Sequence, residues 1–369
     1  MPSYQPLKDQ DIQEIASKYY AARALKTEAR ETPVLVFVGG QPGAGKSAAS
    51  DQVRDELKPE GGFIHVDADR MRQRIPLTGT QPTSQETQLD AGRLAGALRS
   101  HSLNGERNIV EEGTFRNAED MRGVIERNQA RGYRVELLAV ATPAEESTLG
   151  IYYRHERQHA TGSLNPRFVE QGYHDEAMKG FENALARNEQ LLDRVRVINR
   201  DGHVLFDSRT ESRGFGAVQA LTEGQRPTDE RLVAVVDGWK KVKTMAEARG
   251  AGVDYMEAID RNIQGVEALK STRAHSHGLL HLEANIATLR ADRRFDAHNG
   301  DELVKVAFYR GASVKSDEFS SITPNLKGFD AAMADRSKVA QLPAIDELDG
   351  QAVERGIQKT RQSDNDQSL

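Results

Sequence analysis

The sequence predicts an α/β fold, a parallel sheet with helices on both faces, followed by a mainly α-helical C-terminal region. Three observations predict it. Short apolar runs alternate with stretches of helical spacing up to about residue 208. A glycine-rich turn separates the first run from the helix after it. Beyond residue 209 the strand signals fade while helical spacing continues. Strands covered on both faces lose the apolar–polar alternation of half-exposed ones, and strands separated by helices imply parallel pairing.

Residues 9–30, the first element, have helical spacing, because Ile12, Ile15, Ala16, Tyr19, Tyr20, Ala22 and Leu25 can share one broad face. Pro33 ends that pattern, and Val34 to Val38 is a mostly β-branched apolar run. Residues 46–57 read as a helix. Phe63 to Val66 is a short strand that ends in Asp67-Ala68-Asp69. Residues 85–103 are helical, and Asn108 to Val110 is a strand running into Glu111-Glu112-Gly113-Thr114. A helix over 117–131, a strand over 134–141 and helices over 144–160 and 175–193 come next. Residues 195–206 predict a hairpin whose turn is Arg200-Asp201-Gly202. The expected division is a domain over 1–208, a linker over 209–230, a helical region over 231–350 and a disordered polar tail over 351–369. Helical candidates in the third part are 231–248, 253–270, 276–291, 300–310 and 328–340.

Composition excludes several classes. The 369 residues suffice for two cores. There is no cysteine, which removes disulfides, thiolate zinc sites and a cysteine nucleophile. The net charge of −6 argues against a chain that coats nucleic acid. No run approaches the ~20 apolar residues that span a membrane, and the start MPSYQPLKDQDIQEIAS lacks a secretory pattern. The expectation is a cytoplasmic protein.

Gly40-Gln41-Pro42-Gly43-Ala44-Gly45-Lys46-Ser47 matches the phosphate-binding loop at every fixed position. The loop follows an apolar strand and opens a helix, as its mechanism requires. Glycines let backbone N–H groups turn toward phosphate oxygens, and the helix points its positive end at the same anion. Lys46 supplies a cation for the β- and γ-phosphates, and Ser47 a ligand for Mg²⁺. The expected fold is therefore of the P-loop kinase type, with ATP and Mg²⁺ as cofactors.

Acidic groups gather where the strands end. Asp67 and Asp69 follow the second strand, where ligand sites in such sheets form. An aspartate there can take a proton from a substrate hydroxyl during phosphoryl transfer; alternatively, Asp69 caps a helix beginning at Arg70. Glu111 and Glu112 follow the third strand, and one of them can orient Mg²⁺ or bind substrate. Arg154 and Arg157 are three apart on one helix face, and Arg167 follows a Gly-Ser-Leu-Asn-Pro loop. Arginines supplied in cis stabilise a transferring phosphoryl group. Histidines at 155, 159 and 174 show no paired spacing that predicts a metal site.

These residues, taken together, resemble the zeta toxin family of bacterial toxin–antitoxin systems over roughly residues 30–208. The resemblance rests on GGQPGAGKS at 39–47, VDAD at 66–69, EGTFR at 112–116, Arg154 and Arg167 at the family's spacing, and His174-Asp175. It implies a kinase that phosphorylates the 3′-hydroxyl of the sugar of UDP-N-acetylglucosamine and so blocks cell-wall synthesis. It implies Asp69 as the base and Asp67 as its neighbour near the metal. Lys46, Arg154 and Arg167 would hold phosphates and transition state, and Glu112, Thr114 and Arg116 would face the sugar nucleotide. A small helical antitoxin that blocks the ATP site is implied as partner, and an in-chain inhibitor in the C-terminal region is the other possibility. The resemblance departs at Gly96, where the family carries a glutamate, which leaves another UDP-sugar as an alternative acceptor. A kinase of an antibiotic or nucleoside, a nucleotide-dependent interaction protein without turnover and a polynucleotide kinase are the remaining readings. The acidic balance disfavours the last.

Overall fold

The computed structural model describes residues 4–76, 82–163, 166–210 and 216–291, with side chains to residue 273. Helix α1 (Asp9–Ala24) leads into β1 (Val34–Gly39), and α2 (Lys46–Leu57) succeeds the phosphate loop. Then come β2 (Ile64–Val66), α3 (Ala68–Arg72), α4 (Gln88–Asn104), β3 (Ile109–Gly113), α5 (Ala118–Gln129), β4 (Arg134–Ala141), α6 (Ala144–Ala160) and α7 (Gln171–Asn188). Strands β5 (Arg194–Asn199) and β6 (Val204–Asp207) form the expected hairpin, and α8 (Gly216–Gly224), α9 (Asp229–Ala248) and α10 (Val253–Ala291) complete the described chain.

The sheet runs β2-β3-β1-β4-β5-β6, parallel except for the last pair. Strand β1 is central and wholly buried. Its side chains alternate between two cores, as the pleat dictates. Leu35 and Phe37 join a core built with α1, α4, α5, α7 and α8, whereas Val34, Val36 and Val38 meet Ala49, Val53 and Leu57 of α2. The continuous apolar run thus feeds helices on both faces. The strand register aligns the carboxyl ends: Val38 pairs with Glu112, Gly39 with Gly113, and Val66 with Glu111. The residues that leave β1, β2 and β3 therefore emerge side by side at one edge.

Several boundaries differ from the expectation. Strand β2 stops at Val66, so Asp67, not Asp69, caps the following helix: its side chain accepts from the Asp69 amide at 2.8 Å. Helix α7 begins at Gln171, four residues before the predicted start. Part of the expected linker is α8, whose Ala217 and Leu221 are buried in the sheet core. The chain divides into two units at Val266/Glu267 and not near residue 208. The reason is α9, which packs along α6 and buries Leu232, Val235, Trp239, Val242 and Ala246 at helical spacing. The candidates over 253–270 and 276–291 are one continuous helix, α10. Those over 300–310 and 328–340, and the tail, lie outside the described residues. No described helix is long and apolar enough to cross a membrane.

Candidate active site

A cavity of about 420 Å³ opens where β1, β2 and β3 end, lined by the phosphate loop, Asp67, Asp69, Glu112 to Thr114, Arg154 and Arg167. Two loop glycines are sterically required. Gly43 has φ +80°, and a Cβ there would lie 2.0 Å from the Ser147 carbonyl oxygen on α6. Gly45 caps α2 in the left-handed region, with φ +95°. The loop rests on α6 through Gln41, fully buried, whose Nε2 donates to Thr142 O at 2.7 Å and to Ser147 Oγ at 3.3 Å. Behind Ser147 stands the His174-Asp175 pair: His174 Nε2 is 2.8 Å from Ser147 Oγ, and its Nδ1 is 2.9 Å from Asp175 Oδ1. The pair, which the sequence offers only as a motif of the resemblance, is thus joined to the floor of the phosphate loop.

Lys46 donates from Nζ to Gly40 O at 2.8 Å and Gln41 O at 2.9 Å. Burial lowers its pKa to about 8, against the opposing pull of the Glu112 charge. Glu112 accepts from Ser50 Oγ at 2.8 Å and lies 2.9 Å from His65 Nε2. Burial pushes its carboxyl upward, but His65, Ser50 and the Lys46 charge hold it below its ordinary value. Asp67 is driven the other way, first by burial and then by the Glu112 charge. His65, Asp67 and Glu112 offer ligand atoms within 4.8 Å of one another. Two partly buried carboxylates in mutual repulsion are a fit place for a divalent cation, and their oxygens suit Mg²⁺. Ser47, exposed on the first turn of α2, lines the same cavity.

The arginines oppose this acidic rim. Arg154, on α6, carries a guanidinium whose Nε and Nη2 are buried without a hydrogen-bond partner, and burial lowers its pKa. A buried cation with unused donors beside a cavity calls for an anion in it. Arg167 forms an ion pair with Asp69, and Asp69 also accepts from Arg72 at 2.5 Å. Arg200 donates to Gly43 O at 2.7 Å and also lines the cavity. A second cavity, of about 210 Å³, shares Gly45 and Arg200 with the first and is walled by Ala48, Ala49, Val140 and Ile198.

The expected site residues sort unevenly. Pro42, Gly43, Gly45, Lys46, Ser47, Asp67, Asp69, Glu112, Thr114, Arg154 and Arg167 line one cavity, whereas Gly40, Gln41 and Ala44 of the loop stand behind it. Glu111 does not: it pairs with Arg99 at 2.8 Å on the other side of β3, and burial raises its pKa. Arg116 stands just outside the cavity lining, 4.7 Å over the Tyr173 ring and 3.3 Å from Glu176. Between Thr114 and Arg116, Phe115 holds φ +43° and packs on Phe37 at 4.8 Å, which anchors that turn. The histidines correct the sequence reading, since His155 and His159 are one turn apart and their Nε2 atoms lie 3.2 Å from each other. No third histidine or carboxylate joins them in a metal-like cluster among the described residues. His65, Ser50, Ser147 and Arg200 went unread. Arg200 sits in what the sequence offers only as a hairpin turn, and the others carry no motif.

Three comparisons bear on this geometry. Residues 19–211, just over half of the chain, match the family model described as Zeta toxin. The Enterococcus hirae toxin zeta is 28% identical over 189 residues, 49% of this chain and 65% of that protein, so this chain spans less than two thirds of it. Toxin PezT of Streptococcus pneumoniae is 25% identical over 252 residues, 64% of this chain and 98% of that one. A solved structure from the PezAT chromosomal toxin–antitoxin system of Streptococcus pneumoniae shares the fold, with a TM-score of 0.56 at 20% identity over 66% of this chain and 100% of that one.

Proposed function

This chain belongs to the zeta toxin family, and from that premise we propose that it is an ATP-dependent kinase for the sugar 3′-hydroxyl of UDP-N-acetylglucosamine, a bacterial cytoplasmic toxin against cell-wall synthesis. The observation that carries the reading is the convergence of Lys46, Asp69, Arg154 and Arg167 on a single cavity lined by the phosphate loop. In this reading Lys46 and the loop amides bind the β- and γ-phosphates, and the second cavity beside Arg200 receives the nucleoside end of ATP. Asp67 and Ser47, with Glu112 beside them, would hold Mg²⁺, which offsets phosphate charge when bound. An incoming γ-phosphate competes with Asp69 for Arg167 and frees a carboxylate oxygen. Asp69 then takes the proton of the acceptor hydroxyl as that oxygen bonds to the γ-phosphorus and the bond to ADP breaks. Arg154 and Arg167 stabilise the charge spread over the transferring group. Thr114 and Glu112, with Arg116 at the rim, face the sugar nucleotide. The partner is a small helical antitoxin, and no nucleic acid or membrane takes part.

A second acceptor, another UDP-sugar, rests on Gly96 of α4, which stands where the family carries a glutamate. The test is phosphoryl transfer from labelled ATP–Mg²⁺ to a panel of UDP-sugars with Asp69→Asn as control. Product from UDP-N-acetylglucosamine that is absent in the variant supports the reading. ATP binding without transfer to any UDP-sugar refutes it and turns attention to another small-molecule acceptor or to in-chain inhibition.

A further inference from the structure

Helix α9 lies beyond the family match, which ends at residue 211, yet it is tied at three places to α6, and two of these ties lead on to residues that line the cavity. At its start, Arg231 donates to both Glu146 carboxylate oxygens at 2.9 and 2.8 Å; Glu146 lies 3.5 Å from Arg200 Nε, and Arg200 donates to the Gly43 carbonyl of the phosphate loop. At its middle, Trp239 is fully buried with its ring 4.9 Å from Tyr152 of α6. Tyr152 meets the Phe168 ring edge-on at 5.0 Å, and Phe168 is the residue after Arg167. At its end, Arg249 binds Glu156 of α6 through two hydrogen bonds of 2.8 and 3.0 Å. Tyr255, in the first turn of α10, closes the group: its ring lies 5.2 Å from Tyr152, 5.8 Å from Phe168 and 5.0 Å beneath the Arg249 guanidinium.

Physical chemistry gives this arrangement a direction. Aromatic rings meeting edge-on fix mutual orientation more tightly than aliphatic packing does. A carboxylate as buried as Glu156, 1% exposed, is strongly destabilising without its bidentate arginine. Tyr152 and Glu156 lie one turn apart on the face of α6 that α9 covers, and Arg154, between them in sequence, presents its charge to the cavity. Arg167 hangs on a loop, held by its own amide to Gln158 Oε1 at 2.5 Å and by the Phe168 ring. Loop-borne catalytic groups keep their geometry only when packing locks them.

We infer that α9 and the first turn of α10 position Arg167, with Trp239, Tyr255 and Arg249 fixing it through Tyr152 and Phe168. The inference rests on the kinase reading. Tyr255, Trp239 and Arg249 touch no substrate in it; they are positioning residues. Residues 229–255 are then part of the working machinery and not a stabilising appendage.

The test uses the full chain with Tyr255→Ala, Tyr255→Phe, Arg167→Ala and the double variant Arg167→Ala/Tyr255→Ala. A misplacement of about 1 Å costs on the order of 100-fold in rate, so Tyr255→Ala is expected to lose roughly 10- to 100-fold in kcat while ATP affinity stays. Tyr255→Phe keeps the ring and is expected to keep the rate. The double variant is expected to be no slower than Arg167→Ala alone, because both changes act through one guanidinium. Wild-type turnover in Tyr255→Ala, or losses that multiply in the double variant, would overturn the inference. Should Tyr255→Ala melt below the assay temperature, Phe168→Leu takes its place with the same outcomes. Trp239 is the only tryptophan of the chain, which supplies a readout that needs no acceptor. A non-hydrolysable ATP analogue with Mg²⁺ is expected to change its emission in the wild type and not in Arg167→Ala. Emission that stays fixed while calorimetry records binding overturns the inference alone. A wild type that binds no analogue removes the kinase reading, and the inference with it.

Discussion

Lys46 gives ATP binding a pH dependence whose size derives from its surroundings. Its pKa of about 8 reflects burial among the loop carbonyls of Gly40 and Gln41. At that pKa about one tenth of the free protein carries a neutral Lys46 at pH 7 and about nine tenths at pH 9. If only the ammonium form meets the phosphates, apparent ATP affinity falls about tenfold over that interval, or about 1.4 kcal/mol. Bound phosphates restore the charge, so ATP binding at pH 9 takes up close to one proton. Phosphate itself, with a second pKa near ~6, is already ionised there and adds little. The assay is calorimetry at pH 7, 8 and 9 in buffers of differing ionisation heat, with Lys46→Met as a pH-flat control. The stability effect has the opposite sign. The folded pKa lies below the ordinary 10.5, so the buried ammonium costs stability below pH 8, and the cost is relieved as pH rises from about 8 to 10.5. The ligand-free protein therefore gains melting temperature from this residue while ATP binding weakens. Affinity that is flat from pH 7 to 9, with no proton uptake, would refute the reasoning.

Asp69→Asn is expected to lower transfer by about 10²- to 10⁴-fold with ATP affinity nearly kept; near wild-type transfer in single-turnover assays would remove Asp69 from the base role. Arg154→Ala and Arg167→Ala are expected to cut kcat by roughly 10³-fold or more and ATP affinity far less, as charges that matter most in the transition state do. Equal losses of both would reduce them to ATP ligands. Gly43→Ala forces a Cβ to 2.0 Å from Ser147 O at φ +80°, so ATP binding is expected to vanish and the fold to lose at least the ~1–2 kcal/mol of left-handed strain; unchanged urea unfolding together with unchanged calorimetry would contradict that packing. Ser147→Ala leaves His174 Nε2 without its buried partner and is expected to cost about 1–3 kcal/mol in the same unfolding assay.

The sheet and the phosphate loop were legible because both are written in contiguous residues. Val34 to Val38 is buried on two faces and so continuously apolar, and each glycine that the loop needs stands at a fixed spacing from Lys46. Asp67 and Asp69 were legible as a pair but not as to which of them caps the next helix. A cap by Asp69 on a helix from Arg70 was open by pattern, and the structure gives the cap to Asp67, whose side chain accepts from the Asp69 amide as the chain turns into α3. The same limit hid the split between Glu111 and Glu112. Adjacent strand residues face opposite ways by the pleat, but which of them meets the cavity depends on β3 lying between β1 and β2. Long-range partners left no trace at all: Ser50 and Glu112 are 62 residues apart, and Arg249 and Glu156 are 93.

That last separation carries the main consequence for the helical region. An amphipathic helix after a complete sheet reads as an appendage, because its apolar stripe of Leu232, Val235, Trp239 and Val242 shows that it covers something without showing what. What it covers is the outer face of α6, the helix that carries Arg154 and leads into the Arg167 loop. On the kinase reading, a change in α9, which lies beyond the family match at residues 19–211, would reach both the phosphate loop and Arg167. The direct ties, Arg231 to Glu146 and Arg249 to Glu156, are ion pairs whose arginine side chains are about a quarter exposed, so solvent and salt reach them more readily than they reach Trp239. High salt should therefore loosen the two ends of α9 before its middle.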